Sequence, residues 1–489
     1  MTPSATATTL EPPKRSTEMV PPVEAGPPAG PTAIELLERE PTVRRIHPAQ
    51  DMVDGVLWYG RPVEGGLVMI NSARQVLRVD QLPAGLALRH ADPGPSSVSR
   101  EAALRWATGG ESGSVGRTLD ALDQYLTRHA VLPEPRTALW VSAWSVATWC
   151  YRAFRVFPYL SIRSAEKRCG KSRLLGLLAR VAFNASPVTA HPTEAQLFRT
   201  AARTGGVQLF DEVETLRDDR ERFDALIAVL NVGFERGGVV TRLERRDGRL
   251  VEEPYEVYAP RVLAGIAGLK DTLEDRALPV LMMRKRRAEP VARLGRATEE
   301  EAAALRDACA LACLTRMAEI ARHYEAAPAL LEAQGIDDRA VDLWSPLVAV
   351  AMTADGEDDS AGLVGAREAA VAAGGASTGG RTGQMLAVAR ELASHRDADA
   401  EGGPTAWRLE ALEAVRAERG ERLAPAELVA ALAGRPGWEG VKTARKLAMV
   451  LGPMGIFRRQ VREGERRRWC YVLDAERLEE LRERYGAGA

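Results

Sequence analysis

The sequence predicts an α/β fold, a parallel sheet with helices on both faces, followed by a smaller C-terminal unit. Between residues 137 and 286, short apolar runs alternate with stretches of helical apolar spacing, which is typical of strand–helix repeats in a parallel sheet. From residue 405 onwards, three short helical stretches precede two strand-like runs joined at Glu463-Gly-Glu465. This second pattern is the layout of a winged helix.

Composition divides the rest of the chain. The N-terminal arm is rich in Pro, Thr and Ala and has little to bury, so we expect it to be disordered, and a Gly/Ala/Ser/Asp-rich stretch reads as a linker with one helix, 382–395. The expected boundaries are 1–45 for the arm, 46–133 for a small α+β region, 134–290 for the α/β core, 291–353 for helices, 354–404 for the linker and 405–489 for the winged-helix unit.

Several classes of protein are excluded. The five Cys contain no Cys-x-x-Cys pair and the six His are scattered singly, so neither a disulfide framework nor a zinc site is indicated. The N-terminus has no apolar core of a signal peptide. The most apolar stretch, 138–153, is shorter than the roughly 20 residues of a membrane span, so we expect a buried helix and a cytoplasmic protein.

The elements of the core follow from local patterns. Thr193 before Glu194 is a typical helix N-cap, and the run 207–211 is an apolar strand that ends in acids. In order, we predict a strand at 159–163, a helix at 171–182, a strand at 187–190, a helix at 193–203, a strand at 207–211, a helix at 219–235 and strands at 262–266 and 278–283.

A phosphate-binding loop is predicted between the first strand and the first helix. Ala165-Glu-Lys-Arg-Cys-Gly-Lys-Ser172 matches G-x-x-x-x-G-K-[ST] at every fixed position except the first. In such a P-loop, backbone N–H groups cradle the phosphates, the Lys neutralises them and the Ser hydroxyl binds magnesium. The predicted cofactor-binding residues are Ala165, Glu166, Lys167, Arg168, Cys169, Gly170, Lys171, Ser172 and Arg173.

An acidic pair completes the predicted nucleotide site. Asp211 and Glu212 end an apolar strand 39 residues after Ser172. Asp211 would hold magnesium together with Ser172, and Glu212 would polarise the attacking water. Alone, the loop is compatible with an ordinary helix start and the acids with a strand edge, but together they predict a P-loop NTPase that hydrolyses ATP with Mg²⁺.

Two features outside the loop have open interpretations. An Asp-Gly turn at residue 247 predicts a hairpin with Arg242 at its base and Arg245, Arg246 and Arg249 at its tip. Such a hairpin suits either contact with nucleic-acid phosphates in the pore of a ring or a solvated edge in an Arg-rich chain, which has 59 Arg and seven Lys.

Arg276 precedes the last core strand. It is a candidate arginine finger for a neighbouring subunit, or half of a local ion pair with Glu274 or Asp275, and Arg236 is a competing finger.

The C-terminal unit is basic. Residues 441–470 contain nine Lys or Arg and two Glu, a net charge of +7. This charge favours DNA binding over the alternative of a protein-docking module. The predicted DNA contacts are Lys442, Arg445, Arg458, Arg459, Arg466, Arg467 and Arg468.

Five segments together resemble a known group. They are Lys167-Arg-Cys-Gly-Lys-Ser172, Glu194-Ala-Gln-Leu-Phe-Arg199, Leu209-Phe-Asp-Glu212, Leu230-Asn-Val-Gly-Phe-Glu-Arg-Gly-Gly238 and Thr272-Leu-Glu-Asp-Arg276. They resemble uncharacterised P-loop ATPases of actinobacteria, their phages and their plasmids, related to primase-associated, superfamily-three-like helicases. The resemblance covers residues 135–489 except the linker.

The resemblance implies a fold of the AAA+/ASCE type and a ring, expected as a hexamer. It also implies catalytic roles for Lys171, Asp211, Glu212 and Arg276, and work on the DNA of a mobile element.

Our leading hypothesis is an ATP-driven, helicase-like motor on single-stranded or forked DNA, with any primase on a separate chain and no role for a membrane. The alternative is an ATP-dependent switch, such as a loader, an anti-phage ATPase or a partition ATPase, whose nucleotide state controls assembly. A small-molecule kinase is a poorer interpretation, since the sequence shows no acceptor-binding lid.

Overall fold

The structure is a computed structural model of the 489-residue chain. It describes residues 43–92, 94, 98–110, 112–164, 168–190, 192–213, 220–246, 248–265, 271–286, 288–358, 380–395, 406–435, 438, 441–463 and 466–485. The predicted disordered arm lies almost entirely outside these residues.

The N-terminal part combines short strands with two helices. Strands β2 to β5 form an antiparallel sheet in that order, and β1 pairs with β6. These elements are β1 (Arg44–Ile46), β2 (Gln50–Val53), β3 (Val56–Val63), β4 (Gly66–Asn71), β5 (Val76–Arg78), β6 (Leu86–Leu88), α1 (Arg100–Ala107) and α2 (Val115–His129).

The central part is a five-stranded parallel sheet flanked by helices. Its elements are α3 (Pro135–Ala147), β7 (Tyr159–Ser164), α4 (Lys171–Val181), β8 (Thr189–Ala190), α5 (Glu194–Thr204), β9 (Gln208–Asp211), α6 (Arg220–Val232), β10 (Val239–Arg246), β11 (Arg249–Glu256), β12 (Arg261–Gly265), α7 (Asp271–Glu274) and β13 (Ala277–Met282). The predicted alternation of strands and helices is confirmed.

The strand order of this sheet is β13-β7-β12-β9-β8. Every residue of β7 and β12 is buried, as expected for central strands of a parallel sheet covered on both faces. Strand β12 separates β7 from β9, so the strands that precede the predicted loop and the acidic pair lie two positions apart. The fold is mixed α/β and compatible with a P-loop fold.

The apolar stretch before the sheet is a buried helix, as predicted. Trp140, Trp144 and Trp149 are each at most 3 % exposed, and the indole N–H of Trp144 donates to the carbonyl of Pro158, just before β7. These aromatic side chains fix the sheet against the helices rather than presenting a stacking surface.

The last part is helical and ends in a small sheet. Its elements are α8 (Arg296–Glu332), α9 (Asp338–Asp358), α10 (Gly380–His395), α11 (Ala406–Arg419), β14 (Arg422–Leu423), α12 (Pro425–Leu432), α13 (Ala444–Leu451), β15 (Arg458–Glu463), β16 (Arg466–Val472) and α14 (Ala475–Tyr485). The three strands lie in the order β14-β16-β15.

Two features differ from the expectations. Helix α10, predicted inside a linker, is packed into the core, where Met385 and Ala389 are fully buried. Helix α14 was not predicted; it buries Leu478 and Leu481, three residues apart on one face. Among the described helices, none is both long enough and apolar enough to cross a membrane.

Candidate functional site

The predicted nucleotide site lies at the edge of the sheet where the parallel strands end. Ser164 is the last residue of β7, and Gly170 is the N-cap of α4, with φ of 86°. A left-handed residue at this position suits glycine, since it turns the chain sharply into the helix without strain. Helix α4 therefore points its N-terminal N–H groups towards this edge.

Two hydrogen bonds connect the loop, its strand and the acidic strand. The ammonium of Lys171 donates to Ser164 Oγ at 2.5 Å, and the hydroxyl of Ser172 donates to Asp211 Oδ2 at 2.8 Å. The second bond bridges the end of β9 and the start of α4 across the intervening β12. The structure thus brings together Lys171, Ser172 and Asp211, as the sequence predicts.

Two residues near these hydrogen bonds have a left-handed backbone conformation. Arg168 and Glu212 have φ values of 68° and 55°, which are uncommon for residues other than glycine. The N–H of Glu212 donates to Asp211 Oδ1 at 2.9 Å, so both carboxylate oxygens of Asp211 are engaged. Such backbone strain costs roughly 1–3 kcal/mol per residue and is often found at functional sites.

The donor set suits magnesium. Ser172 and Asp211 offer oxygen ligands, which Mg²⁺ prefers, and Mg²⁺ is commonly held by one or two protein oxygens together with substrate phosphates. Among the described residues, no group of three or more His, Cys, Asp or Glu could hold a metal by itself. A metal here would therefore be shared between these two side chains and a nucleotide.

Other residues of the predicted loop are placed differently. Cys169 is buried, and the guanidinium of Arg173 donates to the carbonyls of His129 and Ala292, at 3.1 and 2.9 Å. Arg173 thus anchors α4 to backbone at the end of α2 and before α8. The predicted residues Ala165, Glu166 and Lys167 lie outside the described residues.

Arg276 lies at the opposite end of the strands, where β7 begins. Its carbonyl accepts from the N–H of Tyr159, the first residue of β7, so about 15–20 Å of strand separates it from Ser164. Its guanidinium donates to the carbonyl of Thr272 and lies 5.8 Å from the ring centre of Phe234. Burial lowers the pKa of Arg276, and so does the charge of Arg339.

Arg339 approaches the same phenyl ring, at 5.7 Å from its centre. Of the two acids that could form a local ion pair with Arg276, Glu274 pairs with Arg163, and the charge of Asp275 acts to raise the pKa of Arg276. The competing finger candidate, Arg236, donates to the carbonyl of Met52 at 3.0 Å.

The predicted hairpin is present, and its arginines fall into two groups. Arg242 pairs with Glu194 and lies over the ring of Phe198 at 5.3 Å, and Arg246 pairs with Glu253 at 2.9 Å. Arg245 and Arg249 are exposed at the tip. Arg242 therefore holds the hairpin against α5, and its contact with DNA stays a prediction.

The basic residues predicted to contact DNA in the C-terminal region also differ in their exposure and their partners. Lys442 and Arg445 are exposed at the start of α13, and Arg459 and Arg467 are exposed on the hairpin β15–β16. Arg468 reaches Glu427 at 3.5 Å. The side chain of Arg466 lies outside the described residues.

Sequence reasoning missed two residues, Trp469 and Arg339. Trp469 is 43 % exposed, and the predicted DNA contact Arg458 lies over its ring at 5.5 Å. The signal was available, since Trp469 stands in a strand of arginines. Arg339 had no signal in the sequence, because only the fold brings it to Phe234.

Comparisons with known proteins give one family and several solved structures. Residues 281–418 match the family described as a protein of unknown function, DUF3631. No curated protein matches the chain.

Among solved structures, SCCmec type IV Cch, an active helicase, is 14 % identical over 65 % of this chain, with a TM-score of 0.31. The chain spans 57 % of that structure's length. The apo NrS-1 C-terminal region (305–718) is 11 % identical over 73 % of this chain and 74 % of its own, with a TM-score of 0.28. The A form of that apo region is 11 % identical over 87 % of this chain and 96 % of its own, with a TM-score of 0.27.

Proposed function

We propose that this chain is an ATP-hydrolysing, DNA-associated motor that works as a ring in the replication or maintenance of a mobile element's DNA. The observation that carries the nucleotide part is the 2.8 Å bond between Ser172 and Asp211 beside the ammonium of Lys171. A hydroxyl, a carboxylate and an ammonium meet where a helix N-terminus faces the end of a parallel sheet. This combination suits a magnesium-bound nucleoside triphosphate.

Each side chain has a distinct role in the proposed reaction. Lys171 exchanges its bond to Ser164 for one to the phosphates, and Ser172 and Asp211 present oxygens to the metal. Magnesium, when bound, offsets negative charge on the phosphates. Glu212, exposed beside Asp211, orients the attacking water and accepts its proton.

Exposed cations support the DNA part of the proposal. Arg245 and Arg249 at the tip of the β10–β11 hairpin, Lys442 just before α13 and Arg445 on α13 are all exposed. Cations of this kind bind phosphates without regard to sequence. We further propose a hexameric ring in which Arg276 acts on the nucleotide of the next subunit, a winged-helix role for the C-terminal region, and any primase on a separate chain.

The test is steady-state ATPase activity of the wild type and Lys171→Ala, each with and without single-stranded DNA at low salt. We expect hydrolysis that DNA stimulates several-fold and that Lys171→Ala abolishes. Lys446→Ala, in the C-terminal helix α13, is the control for removing a lysine and should keep the basal rate.

Two other outcomes would decide against the motor. Tight ATP binding without DNA-dependent turnover would leave the nucleotide-controlled switch as the better proposal. Turnover that persists in Lys171→Ala would show that the nucleotide site lies elsewhere.

A further inference from the structure

One face of the C-terminal hairpin combines arginines with an aromatic ring. In the antiparallel pair β15–β16, Arg458 lies opposite Tyr471, Gln460 opposite Trp469 and Arg462 opposite Arg467. Directly opposed residues project from the same face of a sheet, and alternate residues share it. This face therefore carries three arginines, a tryptophan and a tyrosine, and no carboxylate.

Trp469 is exposed where other tryptophans are not. Its side chain is 43 % exposed, whereas Trp58, Trp106, Trp140, Trp144, Trp149, Trp344 and Trp438 are each at most 3 % exposed. Arg458 lies over its ring at 5.5 Å. An indole left partly open on a strand, with a guanidinium beside it, has no role in the core and is free to stack on a planar ligand.

A cavity of about 1150 Å³ lies in front of this face. Its lining includes Arg458, Arg459, Arg467 and Trp469 of the hairpin, Arg390 of α10, Arg136 of α3 and the turn before α9. Small-molecule sites are usually about 300–1,000 Å³, so this cavity is large enough for a segment of a polymer.

The charges of the cavity are unequally matched. Five arginines and three acids, Glu134, Asp337 and Glu391, line it. Burial raises the pKa of Glu391, as does the charge of Glu134, while Arg459, Arg136 and Arg390 oppose that rise. These three arginines are thus close to the acids. Arg458 and Arg467 have no ion pair with a carboxylate among the described residues, and they flank Trp469.

We infer that this cavity binds a single strand of nucleic acid, with one base stacked on Trp469 and the adjacent phosphates on Arg458 and Arg467. Aromatic rings within a basic groove are the usual means of holding single strands, since every base has a flat face. A duplex keeps its bases stacked on each other and so cannot use the indole. An acidic peptide would use the arginines but not the ring.

The inference deepens the proposed DNA association and does not depend on ATP hydrolysis. The test measures fluorescence anisotropy of a labelled oligothymidylate with the full chain, at low salt and without nucleotide. We expect Trp469→Ala to weaken binding about tenfold and Trp469→Phe to weaken it less, because a base stack contributes about 1–3 kcal/mol. Arg467→Ala, at an exposed site that leaves the fold intact, should lower the slope of log affinity against log salt by about 0.7.

Two controls separate this inference from the proposed motor. Lys171→Ala should bind the oligonucleotide as the wild type does, and Ser142→Ala, a buried position away from the cavity, should also leave binding unchanged. The inference is overturned if Trp469→Ala and Arg467→Ala both bind the oligonucleotide like the wild type. This holds even if DNA stimulates the ATPase activity of the wild type, as the proposed motor requires. The inference is also overturned if duplex or polyglutamate competes as well as unlabelled single strand.

Discussion

At the scale of single residues, Asp211 joins the two halves of the proposed nucleotide site. One of its oxygens accepts the hydroxyl of Ser172 and the other accepts the N–H of Glu212. The two oxygens of Asp211 thus position Ser172 and Glu212, while its negative charge would bind a metal. An asparagine keeps the shape and removes the charge, so the two contributions can be separated by mutation.

We predict different defects for Asp211→Asn and Glu212→Gln. Asp211→Asn should require more Mg²⁺ for half-maximal ATPase activity, since its carbonyl oxygen is a weaker ligand for a hard cation. Glu212→Gln should keep the Mg²⁺ midpoint and lose roughly a hundredfold or more in kcat, the usual contribution of a general base. ATPase rates titrated with Mg²⁺ check both, and equal shifts of the midpoint in the two variants would contradict the assignment.

Arg276 lies too far from Lys171 to contact a nucleotide bound at the proposed site of the same chain. The two residues are at opposite ends of β7, so any contact of Arg276 with a phosphate has to come from a second copy. Two guanidinium groups, of Arg276 and Arg339, share the ring of Phe234 at this edge. Together they form a positively charged site that, in the proposed ring, would bind an anion of a neighbouring subunit.

Mixing of inactive variants tests this arrangement. Lys171→Ala and Arg276→Ala should each be inactive, the second by about a thousandfold in kcat. Mixed in equal amounts and allowed to exchange subunits, they should recover about a quarter of the wild-type rate, since an interface needs one intact residue from each side. No recovery, with ring assembly confirmed by light scattering, would show that Arg276 does not act between subunits.

At the scale of elements, the β10–β11 hairpin is fastened at its base and open towards its tip. One face packs on α5, where Arg242 pairs with Glu194 and Tyr255 lies 4.7 Å from Phe198. The other face exposes Leu243 and Leu250, at 64 % and 66 %. The hairpin is therefore held rigidly while its tip remains available to a partner.

The tip and the base should respond differently to mutation. Removing both tip arginines, as Arg245→Ala and Arg249→Ala together, should reduce DNA-stimulated ATPase and lower the salt slope of binding by about 1.4, or about 0.7 for each lost phosphate contact. Arg242→Ala should leave that slope unchanged and reduce hydrogen-exchange protection of the hairpin amides. Normal DNA stimulation in the double variant would exclude a role of the tip in DNA contact.

The sequence predicts local elements well where local chemistry determines them. Helix α5 begins after Thr193, whose hydroxyl accepts the N–H of Gln196 at 3.1 Å, as its cap pattern indicates. Helix α14 escaped prediction because charged residues outnumber the Leu478 and Leu481 that it buries. Helix α10 was assigned to a linker because its flanks are low in complexity, although Met385 fits a core position that only the fold creates.

At the scale of the whole molecule, side chains distant in sequence join the N-terminal region to the β10–β11 hairpin and to Arg152, which precedes the central sheet. Glu256, the last residue of β11, accepts from Arg152 at 3.1 Å and pairs with Arg89. Burial disfavours the charge on Glu256, but Arg152 and Arg89 outweigh burial and lower its pKa. No local pattern reveals such pairs, so sequence patterns predict a fold class for the N-terminal region but not where it packs in the molecule.

His47 makes a second connection of this kind. Its Nδ1 accepts the N–H of Ala49 at 3.1 Å, which leaves the proton on Nε2, 3.0 Å from the carbonyl of Ala202 at the end of α5. Burial lowers the pKa of His47 well below its usual value, and the charges of Arg152, His90 and Arg89 lower it further. The neutral ring is thus the form that the folded protein requires.

The stability of the folded chain should therefore decrease in mild acid. In the unfolded chain His47 binds a proton at about pH 6.5, whereas in the folded chain it does so only at lower pH. Its contribution is complete above about pH 6.5 and is lost below it, at up to about 1.4 kcal/mol per pH unit. Urea unfolding between about pH 7.5 and 5.5 should show this slope in the wild type.

The control is His47→Gln, whose amide N–H can donate to Ala202 but does not titrate in this range. Asp51, which accepts the N–H of His47, and the neighbouring Arg89, Arg152 and His90 are the same in both proteins, so the difference between the two curves isolates the ring. We expect the variant to have a shallower pH dependence by about one bound proton. Parallel curves would mean that His47 accepts its proton in the folded state as readily as in the unfolded state.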